Sequence, residues 1–374
     1  MKKVLVIGGG AAGLMAAGTA ARDGHSVTLL ERNEKLGRKI AITGKGRCNV
    51  TNNTALINDL VSAVPVNGRF LFGAFSRFMP ADTMDFFESL GVPLKVERGN
   101  RVFPVSDNAF DIVDALNTFI TDNGVRRVTA RAEYLMLDGD RVCGAVDLDG
   151  REYPADCVIV ATGGLSYPQT GSTGDGYKLA KQAGHTIIPQ KPSLVPLECH
   201  EGWCSEASGL TLKNCALTVI DTQTYREVYK DFGELLITHF GVSGPMVLSA
   251  SSHMRDMQSE KYVLEIDLKP ALSFEMLDKR ILSEISDSPN RSIFNLAASL
   301  LPRSLVPVCI KLCGINGTLK ANQLTRESRA QLVNQLKCLR LTVTGFRPID
   351  EAVITSGGVC VSEINPKTME SKLK

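Results

Sequence analysis

Val4-Leu5-Val6-Ile7-Gly8-Gly9-Gly10-Ala11-Ala12-Gly13 begins a unit that closes about 20 residues later at Val27-Thr28-Leu29-Leu30-Glu31. An apolar run leads into a glycine turn. A helix-forming segment follows, stopped by Gly24, and a second apolar run ends on an acid. This is a βαβ unit with the G-x-G-x-x-G fingerprint in its expected place. Gly8 makes the tight turn, Gly10 lets backbone approach a pyrophosphate, and Gly13 permits close helix–strand packing. The first helical turn at Ala11 and Ala12 faces the phosphates with free N–H groups and a positive dipole end. Glu31 is placed to accept both ribose hydroxyls and to repel a 2′-phosphate, and Arg32 beside it is taken as cofactor-binding too.

Lys2-Lys3 followed by apolar residues through Ala21 imitates a secretory signal. Four glycines within positions 8–13 and the acid at position 31 argue against that reading. At 374 residues the chain is expected to form two to three domains. Its 42 Lys and Arg against 40 Asp and Glu leave a net charge of +2, so neither nucleic acid nor an anionic membrane is expected as partner. No apolar run beyond the amino-terminal unit reaches the length of a membrane span. The ten cysteines form no C-x-x-C pair. Cys199, His200 and Cys204 lack a fourth ligand nearby, so no metal is expected, and a reduced, cytoplasmic setting is.

A polar loop follows Glu31, with Gly37-Arg38-Lys39 and then Thr43-Gly44-Lys45-Gly46-Arg47-Cys48-Asn49-Val50-Thr51-Asn52. Gly44 and the neighbouring backbone donors, including Cys48 and Asn49, are expected to wrap a pyrophosphate and the edge of an isoalloxazine. Lys39 or Arg47 would counter the negative charge. Residues 82–90 and 107–123 read as amphipathic helices, the second capped by Ser106 or Asp107. Val128 to Leu137, Val142 to Leu148 and a strand from Glu152 read as an antiparallel meander. It feeds Cys157-Val158-Ile159-Val160 and then Ala161-Thr162-Gly163-Gly164, small residues that let a bulky cofactor lie against a strand end. Gly171 through Gly176 opens a helix that Asp175 or Thr173 can cap, and is expected to wall the same pocket.

Beyond Pro189 the texture turns β-rich, residues 273–338 read as helical, and strands resume at Leu341 to Val343 and at Glu351 to Thr355, ending at Gly357-Gly358. The fold class expected is α/β. It comprises a Rossmann-like domain (1–189 and 345–374), a β-barrel-like insertion (190–272 and 339–344) and a helical subdomain (273–338).

Gly8 through Gly13, Gly44 through Asn52, Arg101-Val102-Phe103-Pro104, Gly171 through Gly176, Thr238 through Pro245 and Thr355-Ser356-Gly357-Gly358-Val359 occur in one order along the chain. In this the sequence resembles the YhiN/BaiN-like family of FAD-dependent oxidoreductases of the two-dinucleotide-binding flavoprotein type. The resemblance implies a bound FAD with Gly358 near it, and a small-molecule substrate. One branch is linked to reduction of carbon–carbon double bonds in 3-oxo bile acids, another to aminoacetone oxidation. NAD(P)H would reduce the flavin, which passes hydride to an acceptor such as an enone. The alternatives are an amine oxidase-like flavoprotein and a non-catalytic redox sensor. No proton donor is assigned, His239 being an isolated histidine and Cys48 equally suited to packing. Family members continue past the position of Leu373 with a strand and a last FAD-contacting helix. An incomplete flavin end is therefore expected of a chain stopping at Lys374.

Overall fold

β1 (Lys3–Ile7) and β2 (Ser26–Glu31) run parallel, with Val4 opposite Val27 and Ile7 opposite Leu30. α1 (Ala11–Arg22) makes the crossover and buries Leu14 and Ala17 completely. Its Gly18 admits the Phe119 ring, which a Cβ there would meet at 2.2 Å. α2 (Arg38–Gly46) follows β2 and breaks internally, Thr43 being extended and Gly44 and Lys45 left-handed. α3 (Ala109–Asp122) packs Ile112, Leu116 and Ile120 into the core beside α1. Its cap is Asn108, whose side chain accepts from the Phe110 N–H at 3.1 Å, and neither Ser106 nor Asp107 fills that place. Ser106 instead donates to Asp111.

The run from Val128 to Leu137 is two strands. β3 (Arg126–Thr129) joins the parallel sheet alongside β2, pairing Leu30 with Val128. Ala130 and Arg131 belong to neither strand. The Ala130 N–H is held by the Glu31 carbonyl at 3.0 Å, so the next strand, Ala132–Asp138, leaves for a separate antiparallel meander with Arg141–Asp147 and Glu152–Pro154. Side-chain alternation continues across that break, which is why the sequence pattern hides it. β4 (Cys157–Val160) returns beside β1, giving the parallel order β4-β1-β2-β3. The chain direction of strand addition reverses at β1, and the crevice beyond its carboxyl end is where such sheets take ligands. α4 (Asp175–Gln182) follows. Gly357 and Gly358 lie inside the strand Ile354–Val359 and do not terminate it.

The computed structural model describes residues 1–373, and Lys374, the last residue of the expected carboxyl-terminal segment, lies outside them. Two compact units result, Met1–Lys191 with Thr355–Lys374, and Pro192–Ile354. The second unit contains a closed six-stranded barrel. Its interior is aliphatic: Leu217 and Val219, Leu264 and Ile266, and Leu341 and Val343 alternate inward at full burial. Four helices, Phe274–Asp287, Ile293–Ala298, Val306–Leu312 and Arg326–Lys337, share that core through Leu277, Leu296 and Leu332. All ten cysteines are free, and burial pushes the Cys204 and Cys309 thiols up to about 12. Among the described residues no helix is long and apolar enough to cross a membrane, and no group of three or more His, Cys, Asp or Glu is placed to hold a metal ion.

Candidate cofactor site

The glycine turn at the end of β1 is built by close contacts. Gly8 has φ of +111°, and a Cβ there would meet the Ala161 carbonyl oxygen at 2.5 Å. A Cβ on Gly13 would lie 1.8 Å from the Gly8 carbonyl oxygen, so only hydrogen lets α1 seat on the turn. Gly9, to which the sequence pattern assigns nothing, makes room for Leu36 and for the Glu31 stem. Gly10 differs from all three. It caps α1 without a side chain, and the direction of its Cβ is open for at least 4 Å. The exposed first-turn residues Ala11 and Ala12 stand beside that opening. Turn and packing take three glycines, and Gly10 keeps free the space into which the helix N-terminus points its donors.

Glu31 ends β2 buried under this turn. Its Oε2 accepts the Gly9 N–H at 2.6 Å, while Oε1 accepts the Asn33 backbone N–H at 2.8 Å and the Asn33 side-chain amide at 2.6 Å. A carboxylate offers about four acceptor positions. The protein fills three of them and leaves one, on Oε2. Arg32 points away from this acid, donating to the Thr173 hydroxyl at 2.7 Å and standing 3.4 Å from Asp175.

The loop from Gly37 to Asn52 separates the two candidate cations. Gly37, left-handed, donates its N–H to the Gly9 carbonyl at 2.9 Å and so brings the start of α2 beside the glycine turn. Lys39 then reaches the chain beyond β4, donating to the Ser166 carbonyl at 3.1 Å and hydroxyl at 2.5 Å. No carboxylate lies within ion-pair reach of Lys39 among the described residues, and partial burial lowers its pKa. Arg47 is otherwise engaged. It pairs with Glu97 and Asp107, stacks over the Phe103 ring at 4.2 Å, and its already high pKa is raised by those hydrogen bonds. Its charge is paired with the protein's own carboxylates.

Cys48 is buried with φ of +60°, and desolvation pushes its thiol up, so it is no thiolate. Asn49, oriented to donate to the Thr51 and Val102 carbonyls at 3.1 and 3.3 Å, ties the loop to the strand Arg101–Pro104. Gly44 fits against the Asn49 backbone and Phe103, contacts of 3.0 and 3.1 Å for a Cβ.

Ala161 and Thr162 continue β4 into the turn, the Ala161 N–H donating to Ile7 at 2.8 Å. Gly163 and Gly164 face protein: a Cβ on Gly163 would meet the Ser172 hydroxyl at 2.8 Å, and one on Gly164 the Thr355 hydroxyl at 2.5 Å. Gly176 is likewise closed by Thr162, and Gly358 by the Tyr177 ring. These small residues therefore interlock the segment 161–164 with 171–177 and 355–358. α4 is capped by left-handed Gly174, and the Asp175 carboxylate is gripped by Arg131 at 2.8 and 2.9 Å instead of capping the helix. Burial works to raise the Asp175 pKa, but Arg131, Arg32 and Lys178 outweigh it and hold the group below the usual range.

Asn33 and Ser166 join these contacts without belonging to a motif, and Thr355 joins them from the Thr355–Val359 stretch. Thr355 receives the Leu165 and Ser166 N–H groups at 2.8 and 3.1 Å, closing the loop that Lys39 reaches. Left-handed glycines, among them Gly37 and Gly171, surround them.

This arrangement is that of a Rossmann-type dinucleotide-binding protein. The chain belongs to the HI0933-like Rossmann-domain family, whose model matches residues 2–374, and it is an FAD-dependent oxidoreductase. The 3-dehydro-bile acid delta(4,6)-reductase of Clostridium scindens is 31% identical to it over 377 residues, covering 100% of this chain and 90% of that protein. The ribosomal RNA dihydrouridine synthase of Escherichia coli is 31% identical over 368 residues, covering 98% and 88%. Among solved structures, the open conformation of a flavocytochrome c3 fumarate reductase is 18% identical with a TM-score of 0.43, covering 84% of this chain and 61% of that one. The residues present fit FAD: the open face of Gly10, the uncapped start of α1 and the remaining acceptor of Glu31 match a diphosphate and an adenosine ribose.

Proposed function

We propose that the chain reduces a carbon–carbon double bond conjugated to a carbonyl in a small organic molecule, with NAD(P)H as electron source. The observation that carries this reading is the 31% identity, over the whole chain, to a reductase named for a 3-dehydro bile acid. The other named relative fits the same chemistry, because the uracil double bond that a dihydrouridine synthase reduces is also conjugated to a carbonyl.

When bound, FAD supplies the hydride chemistry. The chain's residues hold it: Gly10, Ala11 and Ala12 meet the diphosphate, Glu31 takes a ribose hydroxyl, and Lys39 supplies the compensating positive charge. Gly8 and Gly13 shape the turn, and Ala161 to Gly164, Asp175 and Gly358 brace it from behind. In the net reaction the β carbon of the conjugated system receives a hydride and the α carbon a proton, while NAD(P)H becomes NAD(P)⁺.

An anaerobic screen tests this. The FAD-loaded protein with NADH or NADPH is offered cyclohexenone, a 3-oxo-Δ4 steroid, free uridine and a uridine-containing RNA. The expected result is reduction of an enone, with product mass raised by two hydrogens. Turnover of the RNA alone would replace the small-molecule reading. A flavin that is reduced rapidly but passes hydride to none of the four would overturn the proposal.

A further inference from the structure

The segment Gly171 to Gly176 repeats a glycine-rich pattern without touching the glycine turn, and its geometry assigns it a task. Asn33, two residues beyond Glu31, uses its whole amide on the protein. Nδ2 donates to Glu31 Oε1 at 2.6 Å and faces the Thr170 carbonyl at 3.5 Å, while Oδ1 accepts from Arg38 at 2.7 Å. Both Asn33 amide hydrogens and its oxygen are thus engaged by the protein. What Asn33 does is fix the plane of the Glu31 carboxylate, so that the one acceptor position left beside the Gly9 N–H is on Oε2. Gly171 then bears directly on Asn33: its φ is +105°, and a Cβ there would stand 2.5 Å from Asn33 Nδ2. The next residues grip the neighbouring side chain, since Arg32 donates to Thr173.

We propose that Asn33 and Gly171 are positioning residues that hold the Glu31 carboxylate so that it accepts one adenosine ribose hydroxyl of FAD and leaves the other unread. Asn33 sets the rotation of the acid, and Gly171 is the void into which the Asn33 amide fits. The two stretches, at 31–33 and 170–175, thus act as one clamp on the acid that meets the ribose. The inference rests on the reading of Glu31 as the ribose acceptor.

The experiment measures binding of FAD and of its 2′-deoxyadenosine and 3′-deoxyadenosine analogues to full-length apoprotein by flavin fluorescence. The wild-type chain is expected to bind one of the two deoxy analogues about tenfold more weakly than FAD and the other equally well, as loss of one hydrogen bond to a charged acceptor requires. In N33A the discrimination should fall to within about twofold, a change that a merely structural role would not produce. G171A should behave like N33A, whereas G139A, left-handed at +59° but with open space around it, should behave like the wild type. N33S replaces N33A should the latter fail to fold, with melting curves run alongside.

Wild-type discrimination retained in full by both Asn33 variants and by G171A would overturn the proposal. Equal weakening of both analogues in the wild type would keep the Glu31 reading and overturn the proposal, whereas wild-type binding of both analogues as tightly as FAD would remove the Glu31 reading and the proposal with it.

Discussion

A Cβ placed on Gly13 would lie 1.8 Å from the carbonyl oxygen of Gly8, whereas one placed on Gly10 meets nothing within 4 Å. The three-residue spacing of one motif thus separates a residue needed by the fold from one that keeps open space beside the helix start. G13A is expected to force α1 off the turn and destabilise the apoprotein by about 1–3 kcal/mol, the range for overpacking. G10A should leave the melting temperature of the apoprotein unchanged and weaken FAD. Calorimetry and fluorescence titration read the two effects. Equal melting losses in both variants would contradict the assignment.

Glu31 is expected to dominate the ribose end. E31Q keeps the shape but swaps half of the carboxylate for a donor facing the Gly9 or Asn33 N–H groups. FAD affinity should drop at least about tenfold, corresponding to a lost hydrogen bond to a charged group of roughly 1.5–3 kcal/mol. An unchanged affinity would exclude Glu31 from the site.

Lys39 and Arg47 should part company. K39M removes a cation without a carboxylate partner and is expected to weaken FAD about tenfold. R47A removes one already neutralised by Glu97 and Asp107, so FAD affinity should stay within about twofold while the segment around Phe103 loosens. Hydrogen exchange at Val102 and Phe103 measures that loosening.

Asp175 gives an acid-side signature. Its folded pKa lies below the unfolded value of about 3.9, so its contribution is fully present above that value and vanishes as pH falls through the lowered folded value. D175N is therefore expected to be less stable than the wild type at pH 7, and the gap should narrow as pH falls below the unfolded value and through the lowered folded one. Urea midpoints across that range check it, and a gap constant with pH would show that Arg131 does not act through the Asp175 charge.

Cys48 sits in a loop expected to line the flavin, yet its thiol is buried and held protonated. Brief iodoacetamide treatment of the native protein at pH 8 should label exposed Cys157 and spare Cys48, as peptide mass mapping will show. Early labelling of Cys48 would mean a thiolate and reopen a redox role for it.

Much of this molecule was legible in one dimension because it depends on local rules. The βαβ start, the helix 109–122 and the alternating barrel strands follow from periodicity, and Gly8 and Gly13 follow from a motif whose spacing encodes contact between a turn and its own helix. The break at Ala130-Arg131 was not legible, since side-chain alternation runs straight through a gap that only the partner strand reveals.

What the sequence determined by itself is the class of unit and the presence of an acid at the end of β2, because both depend on residues within about 30 positions of each other. What only the tertiary structure decided is which charges are available. Arg47 meets Glu97 and Asp107, Asp175 meets Arg131, and Glu31 has three acceptor positions filled before any ligand arrives. The partners of Arg47 and Asp175 lie 44 to 60 residues away. A charged side chain is free or spent according to what the folded chain places beside it, and spacing along the sequence carries no record of that.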